Sequence, residues 1–290
     1  MKFYQFFSLA RVPTLTATAV PMMVGGALGY SGGKFDAPAW LDILFVGLLM
    51  QIATNAMNEY GDYRHAVDEV RGPGFAGIIV SKEVPAREVL LVALVCYVSA
   101  FILGSILVLV RGPIMLLLGC VAILVGVLYS EGPVPISSTP FGEVAVGLVM
   151  GLVEVVSADL AASGGISRLA VVYSIPVSLT VVAILVANNV RDIDKDRAHG
   201  RHTLVVLLGR SRGMMMLFAL IALAFIWPFP AILLYSTPAS VFLLWLASPL
   251  ALRICSRLKR DGKWDESVKT VGMLHLLIGV LLALSIAIQF

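Results

Sequence analysis

Apolar residues in this chain come in long unbroken blocks separated by short polar stretches, and nothing alternates with the period of a β-strand. A helix needs about 20 apolar residues to cross the hydrocarbon core of a bilayer. Runs of that kind lie near 12–31, 39–57, 88–110, 112–130, 141–160, 169–189, 213–235, 238–256 and 271–290. The pattern predicts an all-α polytopic membrane protein with nine spans, and helices are the element a bilayer allows when no barrel period is present. Arg111-Gly112-Pro113 and Ser236-Thr237-Pro238 read as tight turns, because proline lacks a backbone donor and disfavours helix just before it. The 26 glycines fit close packing between membrane helices.

Composition agrees. Of 290 residues, 59% are apolar and 13% charged, with a mean hydropathy of +0.94, against roughly 45–50% and 25% in soluble domains. Disorder, fibrous repeats and a soluble α/β enzyme are excluded. A net charge of +3 provides no electrostatic footprint for a nucleic-acid partner. Cys96, Cys120 and Cys255 form neither a disulfide framework nor a metal spacing. No cleavable signal is evident at the N-terminus.

Basic residues set the expected orientation. With a cytoplasmic N-terminus, 18 of the 21 Lys and Arg fall on the cytoplasmic side, leaving Lys34, Arg111 and Arg168 outside. Such a bias follows the positive-inside rule and would be lost by adding or removing one span. The predicted location is therefore the cytoplasmic membrane, with both the N-terminus and the loops after spans two and six inside.

Those two loops are long and acidic. Residues 55–74 read NAMNEYGDYRHAVDEVRGPG, and residues 187–204 read ANNVRDIDKDRAHGRHTL. Each begins within the end of a span and places Asn four residues before Asp, Asn58 with Asp62 and Asn188 with Asp192, so that each pair shares a helix face. Asp196 extends the second stripe. The two segments lie about 130 residues apart, which suggests an internal duplication within a single domain, 1–290, with halves near 1–135 and 136–290.

Clustered carboxylates repel one another, and more strongly as the effective dielectric falls. Placing Asp62, Asp68, Asp192 and Asp196 where helices leave the membrane makes physical sense if a cation sits between them. Hard oxygen ligands with sparse coordination suit magnesium, which commonly bridges carboxylates to phosphates. The interspersed Arg64, Arg71, Arg191, Lys195, Arg197 and Arg201 could neutralise phosphate oxygens, and an apolar cavity beneath would suit a lipid tail. The alternative is a pair of solvated loops capping membrane helices.

The stretch Asn188-Asn189-Val190-Arg191-Asp192-Ile193-Asp194-Lys195-Asp196 resembles the second motif, NN-x-R-D-x-x-x-D, of the UbiA superfamily of intramembrane prenyltransferases. Gly200-Arg201-His202-Thr203-Leu204 is similar to its G-K-x-T-L continuation. The first motif, Asn55 through Asn58, Asp62 and Asp68, has five residues between its aspartates, as in the branch acting on 1,4-dihydroxy-2-naphthoate. Arg11-Val12-Pro13-Thr14-Leu15, Gly77-Ile78-Ile79, Tyr129-Ser130-Glu131-Gly132-Pro133 and Gly142-Glu143 are softer similarities. Glu59 stands where the superfamily usually has Asp, Arg201 where it has Lys, and Ser138 where the branch often has Tyr.

The resemblance implies a UbiA-type helical bundle with its active site on the cytoplasmic side. Magnesium, two ions, would be held by Asp62, Asp68, Asp192 and Asp196 with help from Asn58 and Asn188. Arg11, Arg64, Arg71, Arg191, Lys195 and Arg201 would bind the diphosphate of a prenyl diphosphate. The allylic cation would be attacked by an aromatic acceptor, with CO2 lost in the naphthoate branch. The acceptor cavity would include Ser138, and Glu154 in the middle of span five is a second candidate there, since an ionisable group at that depth is costly. Other acceptors, among them geranylgeranylglyceryl phosphate and other quinone precursors, remain alternatives. A CDP-alcohol phosphotransferase lacks support because D-G-x-x-A-R is absent. A soluble prenyl diphosphate synthase would not be this apolar. A secondary transporter would place more of its polar residues at the midplane.

Overall fold

The computed structural model describes residues 1–64, 77–261 and 264–288. Helices make up the described architecture, and no strand occurs among the described residues. A short helix α1 (Phe3–Ala10) and a 3-10 turn (Val12–Leu15) lead into α2 (Thr16–Ser31). Three long helices follow: α3 (Ala37–Arg64), α4 (Ala86–Arg111) and α5 (Pro113–Ser130). The composite helix α6 (Gly142–Ser163) contains a π-helical stretch, and α7 (Arg168–Ala198) is the longest helix. The short α8 (Leu204–Leu208) precedes α9 (Arg210–Ile226) and α10 (Pro228–Tyr235). A 3-10 segment (Ala239–Ala247) then continues into α11 (Ser248–Asp261), and α12 (Trp264–Ala287) closes the chain.

Among the described residues, seven helices are long and apolar enough to cross a bilayer. The pair α9 and α10 makes an eighth when taken together, bent by 42° at Trp227-Pro228, where proline interrupts the hydrogen-bond ladder. The first predicted run lies outside that count: it is divided into a four-residue 3-10 turn and the 16-residue α2. Proline at position 13 favours the tighter turn at the entry.

Packing follows the small residues. A Cβ on Gly25 would fall 2.5 Å from Ala158 Cβ, and one on Gly29 would fall 2.4 Å from Ala162 Cβ. A small-xxx-small stripe on α2 therefore meets the same spacing on α6, which brings the two backbones close enough for dispersion to hold them without help from water. The main core gathers Tyr173, Leu217, Leu244, Leu274, Ile278 and Leu282 between α7, α9, the 3-10 segment and α12. By contrast, Leu91, Phe101, Leu109, Leu117 and Leu124 of α4 and α5 stay exposed, as lipid-facing side chains do. With its apolar helices and polar ends, the chain is a multi-pass membrane protein.

Candidate active site

The polar C-terminal ends of α3 and α7 are joined by one arginine. Asp62 is buried on the last turn of α3, and Asp196 is buried near the end of α7. The local fold explains how a third residue joins them. Helix α7 ends with Gly200 at φ +67°, a left-handed conformation that costs glycine little. The amide of Gly200 donates to Arg197 O at 3.1 Å and that of Arg201 to Asp196 O at 2.9 Å. This is a Schellman turn, and it folds Arg201 back over the helix end. The guanidinium then donates to Asp62 Oδ1 at 2.7 Å and to Asp196 Oδ1 at 3.5 Å. Arg201 and Asp62 are 139 positions apart in the chain, so the fold brings both acidic motifs onto one half-buried cationic group. Thr203 caps α8 by accepting from Val206 N at 3.3 Å, which fixes the far side of the turn.

Close backbone approach completes the first motif. A Cβ on Gly61 would fall 2.9 Å from Ser130 O, so α3 reaches the end of α5 only because that residue is glycine. Asn58 donates to Ser130 Oγ at 3.4 Å across the same crossing. In the second motif, Arg191 embraces Asp192 with contacts of 3.0 and 2.8 Å. Asn188 is half-buried and Lys195 exposed on α7. Asp68 and Arg71, together with His65, lie outside the described residues. Among the described residues no group of three or more His, Cys, Asp or Glu is arranged to hold a metal ion.

Two predicted diphosphate residues are engaged elsewhere. Arg11 contacts Glu59 at 3.4 Å, and Arg64 contacts Glu131 at 3.7 Å. Ser138 is tied to the second motif through its carbonyl, which accepts from His202 N at 2.8 Å. Glu154 sits immediately after the π-helical stretch Gly147–Val153, and its Oε1 accepts from Thr18 Oγ1 at 3.3 Å. Beyond Thr18 lie Gln51 and Asn55, a polar stripe of α3 that leads toward Asp62.

Three residues that the sequence named only as a departure or a soft similarity, with no role, are built into this end of the bundle. Glu59 is buried, and its Oε1 accepts from Gly77 N at 2.7 Å and Ile79 N at 3.4 Å. It thus pins the chain beyond the first motif back onto α3. Glu143 is buried at the start of α6 and accepts from Asn189 Nδ2 at 3.0 Å. Tyr129 lies within electrostatic reach of Glu143, Arg201, Asp196 and Asp62. The available signal was a carboxylate at the edge of an apolar run, which by itself is no different from an ordinary helix end.

A helical membrane bundle with two acid-and-amide motifs meeting at one end defines a class of intramembrane enzyme. Residues 18–285 match the UbiA prenyltransferase family, and the chain belongs to it. Among its relatives is a 1,4-dihydroxy-2-naphthoate octaprenyltransferase of Bacillus subtilis, 31% identical over 287 residues, covering 98% of this chain and 92% of the relative. Another protein of that description, from Mycobacterium tuberculosis, is 31% identical over 256 residues, 87% of this chain and 85% of its own. The fold is similar to the structure of a UbiA homologue from Archaeoglobus fulgidus bound to GPP and Mg2+, with a TM-score of 0.70, 15% identity, and coverage of 97% and 99%. The chain is a prenyltransferase.

Proposed function

We propose that the chain transfers a prenyl group from a prenyl diphosphate to 1,4-dihydroxy-2-naphthoate, releasing CO2 and diphosphate. The observation that carries this reading is the convergence of Asp62 and Asp196 on the Arg201 guanidinium. Two buried carboxylates that already share one cationic group are hard oxygen donors of the kind magnesium takes, so the chemistry of the donor set fits it. Asp62, Asp192 and Asp196 would hold it with Asn58 and Asn188, and Asp68 would join them, giving two ions. When bound, magnesium neutralises charge on the departing diphosphate.

The remaining work falls to the chain. Arg201, freed from its carboxylates, is placed to bind diphosphate oxygens in a charge-assisted fork. Arg191 and Lys195 lie on the same helix end and Arg71 follows the first motif, while Arg11 and Arg64 reach the diphosphate only by exchanging Glu59 and Glu131 for it. The apolar interior accepts the prenyl tail and keeps water from the allylic cation. Ser138 and Glu154 line the acceptor side. The activity of the relatives in Bacillus and Mycobacterium supports the acceptor, and the GPP and Mg2+ bound to the Archaeoglobus homologue support the donor and metal.

The reading includes nine spans in one domain of the cytoplasmic membrane, with the site on the cytoplasmic side. Helix α2 supplies the ninth. Sixteen α-helical residues and a four-residue 3-10 turn reach about 32 Å, close to the hydrocarbon thickness of about 30 Å. The bias of basic residues supports the orientation.

The test is to incubate the purified protein with Mg2+, a prenyl diphosphate and separate acceptors, and identify products by mass spectrometry. The acceptors are 1,4-dihydroxy-2-naphthoate, 4-hydroxybenzoate and geranylgeranylglyceryl phosphate. A prenylated, decarboxylated naphthalene product is expected. Turnover of another acceptor alone would overturn the naphthoate assignment.

A further inference from the structure

Glu143 is 2% exposed, at the first turn of α6. One carboxylate oxygen, Oε1, takes the Asn189 amide at 3.0 Å; the other, Oε2, is buried and has no hydrogen-bond partner among the described residues. A buried carboxylate oxygen without a donor loses its hydration with nothing in return. Such an atom calls for an explanation in terms of a missing partner.

Its surroundings say what the partner is. Asn189 belongs to the second motif, next to Asn188, so Glu143 is anchored to the helix that carries Asp192 and Asp196. Tyr129, within electrostatic reach of Glu143, also feels Asp62, Asp196 and Arg201. The unpaired oxygen therefore belongs to the same end of the bundle as the acidic motifs. The turn Ile136–Ser138 packs beside the neighbouring residue, its Ile136 O lying 3.5 Å from where a Cβ on Gly142 would fall. That turn is held to the second motif by the bond from His202 N to Ser138 O. A diphosphate would be repelled by Glu143, so the missing partner is a neutral donor such as a ring hydroxyl.

We propose that Glu143 is the acceptor-side catalytic residue, its Oε2 taking the hydrogen bond and then the proton of a ring hydroxyl. This rests on the prenyl-transfer reading above. As the ring attacks, the O–H bond breaks, its proton passes to Oε2 and its electron pair moves into the ring. The ring carbon that carries the carboxylate forms the new C–C bond to C1 of the prenyl chain, and the pair of the C1–O bond leaves with the diphosphate. Loss of CO2 then leaves its bonding pair in the ring, and Glu143 returns the proton to the ring oxygen. Asn189 is a positioning residue, holding Oε1 so that Oε2 keeps its aim.

The test compares Glu143→Gln with Glu143→Asp. The Gln variant keeps the shape and loses the proton acceptor; the Asp variant keeps the acceptor and gives up one methylene. If Glu143 is catalytic, Gln lowers kcat by about 100-fold or more, Asp retains more activity than Gln, and KM for the prenyl diphosphate stays within about twofold in both. A packing role predicts the reverse order, and Gln equal to or better than Asp would overturn the proposal. Should the Gln variant fail to fold, Asp against Asn at the same position makes the same comparison. Each variant is assayed with whichever hydroxyarene the wild type prenylates. A change of acceptor thus corrects the naphthoate assignment and leaves the Asp-over-Gln order to decide for Glu143, whereas a wild type that prenylates no hydroxyarene overturns both.

Discussion

The two ends of α3 carry two arginine clasps that look alike and do different things. At the N-terminal end, Arg111 donates to Ala161 O at 3.0 and 2.8 Å and to the Asp36 carboxylate. Asp36 in turn caps α3 through Ala39 N at 3.1 Å, and its own amide donates to Ala162 O at 2.8 Å. Every partner of that arginine is a helix end or a helix cap. At the C-terminal end, Arg201 instead holds two carboxylates, Asp62 and Asp196, from different motifs. An arginine that satisfies orphan carbonyls finishes a helix junction. One that keeps two buried anions together occupies a place a metal ion can take. Arg111, one of the three basic residues that break the predicted charge bias, is thus explained by structure and not by topology.

If the clasps differ in this way, they should respond differently to the same insult. The largest effect is expected for Asp62→Ala and Asp192→Ala, each of which should abolish measurable prenyl transfer while the thermal melt stays cooperative. Retained turnover in both variants would erase the distinction between the two ends. Next comes Arg201→Gln, expected to lower kcat/KM by about 100-fold and to raise KM for the prenyl diphosphate. Arg201→Lys should recover about tenfold of that, since the ammonium keeps the charge without the fork. Arg111→Ala should leave turnover within about twofold and lower stability by about 1–2 kcal/mol, read from the melting temperature in detergent.

The smallest effect is expected from acid. The Ala39 amide and the Arg111 guanidinium hold the Asp36 carboxyl below its ordinary value near 3.8. A carboxylate with a depressed folded pKa stabilises the protein above the unfolded value, and that contribution disappears as pH falls through the folded one. Below about pH 4 the wild type should therefore lose a small increment of stability that Asp36→Asn lacks at every pH. Identical acid limbs for the two proteins would show that the clasp at the N-terminal end of α3 contributes nothing.

Much of this was legible beforehand. Among the described residues the predicted runs fall on helix, because about twenty apolar residues in a row have few other uses and a bilayer leaves the backbone no alternative. The second motif was readable because Asn188, Asp192 and Asp196 recur at one helix spacing. Glu59, Glu131 and Glu143 could be named beside the motifs but not given partners, because a carboxylate at the end of an apolar run usually meets water. Only after folding does Glu59 become the acceptor for Gly77 N and Ile79 N, and Glu143 a buried partner of Asn189. Arg11 and Arg64 read as phosphate ligands by position, yet each has an acidic neighbour across the bundle.

The amino-acid sequence alone settled that this is a helical membrane protein, where its helices run, and that two acidic stripes sit at helix ends, since hydrophobic length and helical spacing are local properties. Which carboxylate meets which arginine was decided only by the tertiary structure. Those pairings depend on how α2, α3, α6 and α7 approach one another, on the small residues that permit it, and on one left-handed glycine that turns Arg201 back toward Asp62.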